Sequence, residues 1–305
     1  MRTLLKHSLE KVLCRGGFTA AARALRGTGA LVLAYHDVVP HGESCEGDRS
    51  LHLPQRDFAR QLELIARTHD VVPLDSLLAP PAPSRRPRVV ITFDDAYRGA
   101  VTAGVEELAR RGLPATIFVA PAFVDGGSFW WDALARPGSG GLAPEVRARC
   151  LGALRGRDAE IRRWARDEGL LLREPPPHQT GATLDELRAA AATPGITLAA
   201  HTWSHPSLPA LGPEELEEEM VRPLAWLRER FPGVLPWLSY PYGHASPVVE
   251  EAARSAGYLG AFRVEGGWMP GDPADLRPYA LPRSNVPAGA SLEHFELRTS
   301  GLLAR

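Results

Sequence analysis

From Leu31 onward, short apolar runs alternate with stretches whose apolar positions recur every three or four residues, which predicts β/α units around a parallel sheet. The runs LVLAY (31–35), RVVITF (88–93), ATIFVA (115–120), ITLAA (196–200), LPWLSY (235–240) and YLGAF (258–262) read as strands. Between them, Phe58, Leu62 and Ile65 mark a helix begun near Pro54, and Val101, Val105 and Leu108 a second, which Gly112 can end as a left-handed cap. Thr183 with Glu186 forms a capping box that opens another helix. The ladder Leu216, Met220, Leu224 and Leu227 makes 213–230 helical, and Pro223 in its middle predicts a kink or a split. A further helix is capped by Ser246, carries Pro247 at its first position and ends at Gly257. The Pro-rich stretch 80–87 reads as a loop. Residues of about 121–195 break the rhythm with Gly and Pro clusters and weak helical patterns, and read as an insertion. The tail carries RPYALPRSNV and a short final helix.

Residues 1–26 follow a different pattern. Leu5, Leu9, Val12 and Leu13 stand at helical spacing, with Arg2, Lys6, Lys11, Arg15, Arg23 and Arg26 against a single acid, Glu10. This is a basic amphipathic helix, expected to pack on the domain with its arginines solvated, with contact to a membrane surface as the alternative. The boundary falls before residue 27, and 27–305 is read as one domain.

Composition narrows the classes. With 305 residues the chain can bury a large core, and a net charge of −1 with no Cys/His finger argues against nucleic acid as a partner. The three cysteines, Cys14, Cys45 and Cys150, are widely spaced without a Cys-x-x-Cys pair and read as free thiols. No apolar run is long enough to span a membrane, and charges interrupt every candidate signal peptide, so a cytoplasmic location is expected.

Four polar clusters fall at predicted strand ends: Tyr35-His36-Asp37, Asp94-Asp95, His201, and Pro241-Tyr242-Gly243. In a β/α barrel the strand C-termini converge on the face that holds the active site. His201 and His205, four apart in HTWSH, can bring two imidazoles to one ion. Adjacent carboxylates at the end of an apolar strand repel and lose hydration, so the fold tolerates them beside a cation or hydrogen-bond donors. One Asp explains a helix cap; two beside a His pair point to a metal. One Asp and two His leave positions open on a zinc-like ion, which acidifies bound water and polarises a carbonyl, while a second, uncoordinated Asp can take the water's proton. Serine-hydrolase elbows, His-Glu-x-x-His and phosphate loops are absent from the sequence.

With these residues in place, the chain resembles the polysaccharide deacetylases of carbohydrate esterase family four. Thr92-Phe93-Asp94-Asp95 is similar to that family's first motif, His201-Thr202-Trp203-Ser204-His205-Pro206 to its second, and Tyr240-Pro241-Tyr242-Gly243 to its third, over about residues 31–286. The resemblance implies an α/β fold, a distorted (β/α) barrel of about seven strands with a helical insertion and the N-terminal amphipathic helix. It implies Asp94 as catalytic base, Asp95, His201 and His205 as ligands of one divalent metal ion (zinc, with cobalt or nickel as alternatives), and the Pro241–Tyr242 turn as the oxyanion and substrate contact through the Tyr242 N–H. Two departures stand out. The family's Arg two residues before the third-motif Pro is Ser239 here, and Arg283 is the candidate to brace Asp94, its other reading being a structural or surface Arg. The family's C-terminal Leu-x-His motif is missing, while LVLAYHD places His36 after an apolar strand, which suggests a circular permutation with His36 as general acid; a core histidine is the alternative. Trp130, Trp131, Trp203 and Trp268 are candidates to stack on sugar rings, one of the four being expected to touch substrate.

The resulting expectation is a metal-dependent hydrolase that removes N-acetyl groups from an N-acetylhexosamine polysaccharide of the cell envelope or an exopolysaccharide. A non-catalytic carbohydrate-binding relative, motivated by Ser239 and the missing C-terminal motif, and a barrel glycosidase using Asp94 with a second carboxylate are the alternatives.

Overall fold

The computed structural model describes residues 2–27, 29–79, 84, 86–135 and 140–303, without the side chains of 2–7 and 273. Most of the loop expected over 80–87 lies outside the described residues. The strands are β1 (Ala30–Tyr35), β2 (Asp37–Val39), β3 (His52–Pro54), β4 (Asp70–Val71), β5 (Arg88–Phe93), β6 (Ala115–Val119), β7 (Ile196–Ala200), β8 (Trp237–Ser239), β9 (Gly260–Phe262), β10 (Trp268–Met269) and β11 (Ser284–Asn285). The helices are α1 (Arg2–Arg15), α2 (Phe18–Arg26), α3 (Gln55–Thr68), α4 (Val105–Arg111), α5 (Trp130–Leu134), α6 (Pro144–Leu151), α7 (Asp158–Asp167), α8 (Leu184–Ala191), α9 (Pro213–Arg230), α10 (Pro247–Ser255) and α11 (Leu292–Thr299).

The sheet runs β10-β1-β5-β6-β7-β8-β9, with β4 beside β5 and β11 beside β1. All neighbours from β1 to β9 along this path are parallel, and only β10 is antiparallel. The segment 281–285 bridges the gap between the sheet's ends: Leu281 pairs with Phe262 on one side, Ser284 and Asn285 with Leu33 and Ala34 on the other. The result is the distorted barrel expected from the sequence, with a helical insertion after β6.

Side-chain alternation along each strand explains why the runs are apolar throughout. Leu31, Leu33, Tyr35, Val89, Ile91, Phe93, Ile117, Val119 and Leu198 pack outward under the helices. Ala30, Val32, Val90, Phe118, Ala199, Trp237 and Phe262 form a separate core inside the barrel. Continuing the period of β5, Val90 and Thr92 put Asp94 on the interior side.

The capping box at Thr183 and Glu186, the Ser246 cap with Pro247 at N1, and the left-handed Gly112 all stand where the pattern put them. One expectation is corrected and another narrowed. The N-terminal helix is two helices, because Gly16 and Gly17 interrupt it and Gly17 takes φ +78. Of the kink or split expected at Pro223, the split does not occur: residues 213–230 remain one continuous helix, with Leu216, Met220, Leu224 and Leu227 buried on one face to offset the missing backbone bond.

Candidate active site

Register brings the site together. Tyr35 pairs with Phe93, so the next residues, His36 and Asp94, leave adjacent strands side by side, and Asp94 N–H donates to Tyr35 O at 2.9 Å. Ala200 pairs with Val119 and Leu238, which sets His201 at the same rim. Of the seven non-glycine residues with positive φ among the described residues, Asp95, Ala96, Thr202, His205 and Tyr242 lie in these strand-end loops. Such backbone is tolerated where surrounding contacts over-determine it. Here Glu219 of α9 accepts from the N–H groups of Trp203 (2.8 Å) and Ser204 (2.9 Å), while His205 N–H donates to Thr202 Oγ1 at 3.2 Å.

These loops enclose a cleft of about 390 Å³ lined by His36, Asp94, Asp95, Trp131, His201, His205 and Tyr242, together with Leu51, Leu151 and Val264. Asp95, His201 and His205 are buried and present ligand atoms close to one another. Asp95 Oδ1 stands 3.4 Å from His201 Nε2 and 3.3 Å from His205 Nε2, yet has no hydrogen-bond partner. Two ligands bound at about 2.05 Å to one tetrahedral ion are about 3.3 Å apart, so the spacing and the orphaned oxygen both fit a shared divalent cation. His201 Nδ1 lies 2.8 Å from Ser239 O; a carbonyl can only accept, so Nδ1 carries a proton and Nε2 is the nitrogen turned to the site. Burial pushes His205 down to about 3, leaving it a neutral imidazole. Burial opposes ionisation of Asp95, but His205 and His201 outweigh it and hold the carboxyl below its ordinary range.

Asp94 has a different set of partners. Arg283 is fully buried on the barrel-closing segment and forks onto both carboxylate oxygens, Nη1 to Oδ1 at 2.7 Å and Nη2 to Oδ2 at 2.6 Å. Ser239 Oγ, on the strand where the family pattern has its Arg, donates to Asp94 Oδ2 at 3.1 Å and accepts from Arg283 Nη2 at 2.6 Å. Despite the cost of burial, Arg283 and His201 hold the Asp94 carboxyl well below the usual carboxylate range. The surface reading of Arg283 is therefore excluded. His36 reaches the same cleft, and there burial outweighs Asp95 and Asp94 to lower its pKa.

The tryptophans separate. Only Trp131 lines the cleft, its ring 5.0 Å from that of His205. Trp130 is fully buried behind it and donates to Tyr242 Oη at 3.2 Å. Trp203 points to α9, with the Arg222 guanidinium 3.6 Å above its ring. Trp268 pairs with Leu31 at the start of β1, the far end of the barrel, and stacks on His69. Of the four stacking candidates the structure thus places one, Trp131, at the cleft, and the other three against the protein elsewhere.

Sequence reasoning missed a second cluster of two aspartates and two histidines beneath the insertion. His52 Nδ1 lies 3.0 Å from Asp37 Oδ2 and its Nε2 2.9 Å from Asp132 Oδ1; His178 Nδ1 lies 3.0 Å from the same Asp37 oxygen and its Nε2 3.0 Å from Ser44 O. Carboxylates and carbonyls accept, so all four ring nitrogens donate and both rings are imidazolium. Although burial opposes it, Asp132 and Asp37 push His52 up to about 10. Tyr97 Oη donates to Asp132 Oδ2 at 2.6 Å and accepts from Trp131 Nε1 at 2.8 Å, which links the cluster to the cleft wall. A Cβ at Gly99 would stand 2.3 Å from Asp37 Oδ1, so glycine is required there. The sequence signal was slight: a polar His inside the apolar LHLP, without any spacing rule.

A barrel whose strand ends bring two aspartates and a His-x-x-x-His pair to one cleft is the architecture of a carbohydrate deacetylase. The polysaccharide deacetylase family model matches residues 82–261, more than half of the chain, and the chain belongs to that family. Among solved structures it is similar to IcaB from Ammonifex degensii (19% identity, TM-score 0.60, covering 90% of this chain and 98% of that one). It is similar also to the Streptococcus pyogenes deacetylase PplD in complex with acetate (15%, 0.61, 90% and 99%). A third is BC0361, a polysaccharide deacetylase from Bacillus cereus (14%, 0.61, 89% and 69%). A comparison with proteins of curated function gave no match.

Proposed function

We propose that this deacetylase is a metal-dependent enzyme that hydrolyses the acetamide of an N-acetylhexosamine glycan to acetate and a free amino sugar. The observation that carries the reading is the Asp95–His201–His205 trio, spaced for one cation with Asp95 Oδ1 left unsatisfied, beside an Asp94 kept ionised by Arg283. A divalent ion held by the trio, zinc by its two imidazoles and one carboxylate or else cobalt or nickel, supplies the positive charge that polarises the acetyl carbonyl and acidifies water.

The chain's own residues do the rest. Asp94, ionised and fixed in the Arg283 fork, accepts the proton of the attacking water. The Tyr242 N–H, presented by the left-handed turn after Pro241, donates to the oxygen that gains charge. His36, neutral at rest, would receive the proton that Asp94 takes from the water and deliver it to the leaving nitrogen, which returns both groups to their starting states. Trp131 and the apolar side chains Leu51, Leu151 and Val264 exclude water around the acetyl group. The PplD structure holds acetate, the product expected here.

Arg283 makes the contact to Asp94 that Ser239 in the family's Arg position would otherwise leave unmade, which answers the first of the two motives for a binding-only relative. A glycosidase needs one carboxyl protonated, whereas Asp94 and Asp95 are both held ionised. The test is acetate release from an acetylated chitooligosaccharide by the zinc-loaded protein, with and without chelator, against Asp94→Asn. Release that chelator and the variant both abolish supports the reading; no release from a panel of N-acetylated glycans by protein carrying its ion refutes it.

A further inference from the structure

The polar side of the N-terminal helices faces the protein. Glu10 is buried, its carboxylate 3.0 Å from His294 Nδ1 and 3.2 Å from Ser291 Oγ; Thr19 Oγ1 donates to Glu296 at 2.7 Å, and Arg23 reaches the same carboxylate at 3.4 Å. The apolar side faces away. Leu9 is 59%, Val12 61%, Phe18 53% and Leu25 89% exposed. A helix that served its own domain would bury that stripe, so the orientation is reversed from what folding alone selects. Arg26 donates to Gly301 O at 2.9 Å, which sets the exposed Leu302 and Leu303 beside the end of α2 and widens the patch.

Charge identifies the occupant. Across residues 8–27 the sole acid is the buried Glu10, while Lys11 and Arg15 are exposed on the same helices as the apolar stripe. A second copy would bring like charge against like charge; an apolar surface carrying negative headgroups satisfies both features. We infer that α1 and α2 form a docking surface for an anionic lipid bilayer. They lie on it rather than cross it, since among the described residues no helix is long and apolar enough to span a membrane. Because α2 joins β1 at its N-terminal end, opposite the strand ends that carry the cleft, docking leaves the cleft mouth open. The inference is independent of the proposed reaction.

Co-sedimentation of the full chain with phosphatidylcholine vesicles, with and without added phosphatidylglycerol, tests it. The expected result is binding to the anionic vesicles alone, weakened by salt, and lowered about tenfold or more by Leu9→Asp combined with Val12→Asp. Lys11→Glu with Arg15→Glu should remove the preference for phosphatidylglycerol. These positions are exposed, so the thermal midpoint should not move and loss of binding will not report misfolding. Absence of vesicle binding, indifference to phosphatidylglycerol, or binding unaffected by the double aspartate variant would overturn it. So would a lipid-free dimer that the same variant dissolves, which would assign the face to a second copy.

Discussion

The molecule holds two buried assemblies of two aspartates and two histidines, and they have opposite characters. In the cluster of Asp37, Asp132, His52 and His178, every imidazole nitrogen meets an acceptor at 2.9–3.0 Å. Its charges cancel, and one oxygen, Asp37 Oδ1, packed against Gly99, is left without a hydrogen-bond partner. At the mouth, Asp95 meets His201 and His205 at 3.3–3.4 Å with an oxygen left bare, and Asp94 spends both of its oxygens on Arg283. That assembly is short of one positive centre. The comparison teaches that residue type does not distinguish a structural knot from a candidate metal site. The imidazoles do: in the cluster all four ring nitrogens meet acceptors, whereas at the mouth His205 Nδ1 is left without a partner beside the bare Asp95 oxygen.

The largest test removes a ligand from the open assembly: His205→Ala should reduce bound divalent metal from about one ion per chain to background by elemental analysis, and deacetylation with it. The matching change in the closed assembly, His52→Gln, should leave metal content untouched. Next in size, Asp94→Asn should retain metal while lowering acetate release about a hundred- to ten-thousand-fold. Arg283→Gln sharpens the point through pH. In the proposed reaction Asp94 works as the carboxylate and its pKa is held down mainly by Arg283, so activity should fail as pH falls through that pKa; without the guanidinium the acid limb of the rate profile should move to higher pH.

For the closed assembly the expected loss is in stability. His52→Gln leaves buried carboxylates without their counter-charge and should cost about 3–5 kcal/mol in urea unfolding. The folded pKa of His52 lies near 10, above that of an unfolded histidine, so its contribution is complete below about pH 6.5 and disappears as pH rises through about 10. The parent should therefore lose stability over that window and the variant should lack His52's share of the slope; equal slopes would refute the imidazolium assignment. The smallest change, Tyr97→Phe, deletes the bond to Asp132 and the one accepted from Trp131 Nε1 and should cost about 1.5–3 kcal/mol, with metal content unchanged.

Much of this was legible beforehand because period-2 apolar runs and strand-end polar residues report directly on a barrel and its rim. Asp94, Asp95, His201 and His205 announced themselves by adjacency and spacing. His52, His178 and Asp132 did not, since they come from β3, a loop and α5 and meet only after the insertion folds over the barrel. Which of the tryptophans reaches the cleft was hidden for a related reason. Trp130 and Trp131 are neighbours in a helix, point in different directions, and only one reaches the cleft. The N-terminal stripe was visible as a pattern, but the pattern did not say which side would turn to α11.

What the sequence determined by itself is the local: strand and helix periods, caps at Thr183 and Ser246, and two short motifs whose ligands are fixed by chain geometry over a few residues. What only the tertiary structure decided is long-range pairing. Arg283 lies 189 positions from Asp94, and His52 lies 80 from Asp132. The segment 281–285 must close the barrel before the guanidinium can enter its interior. Contacts of that kind are selected by the summed burial and hydrogen bonding of the whole fold, and no window of sequence contains that sum.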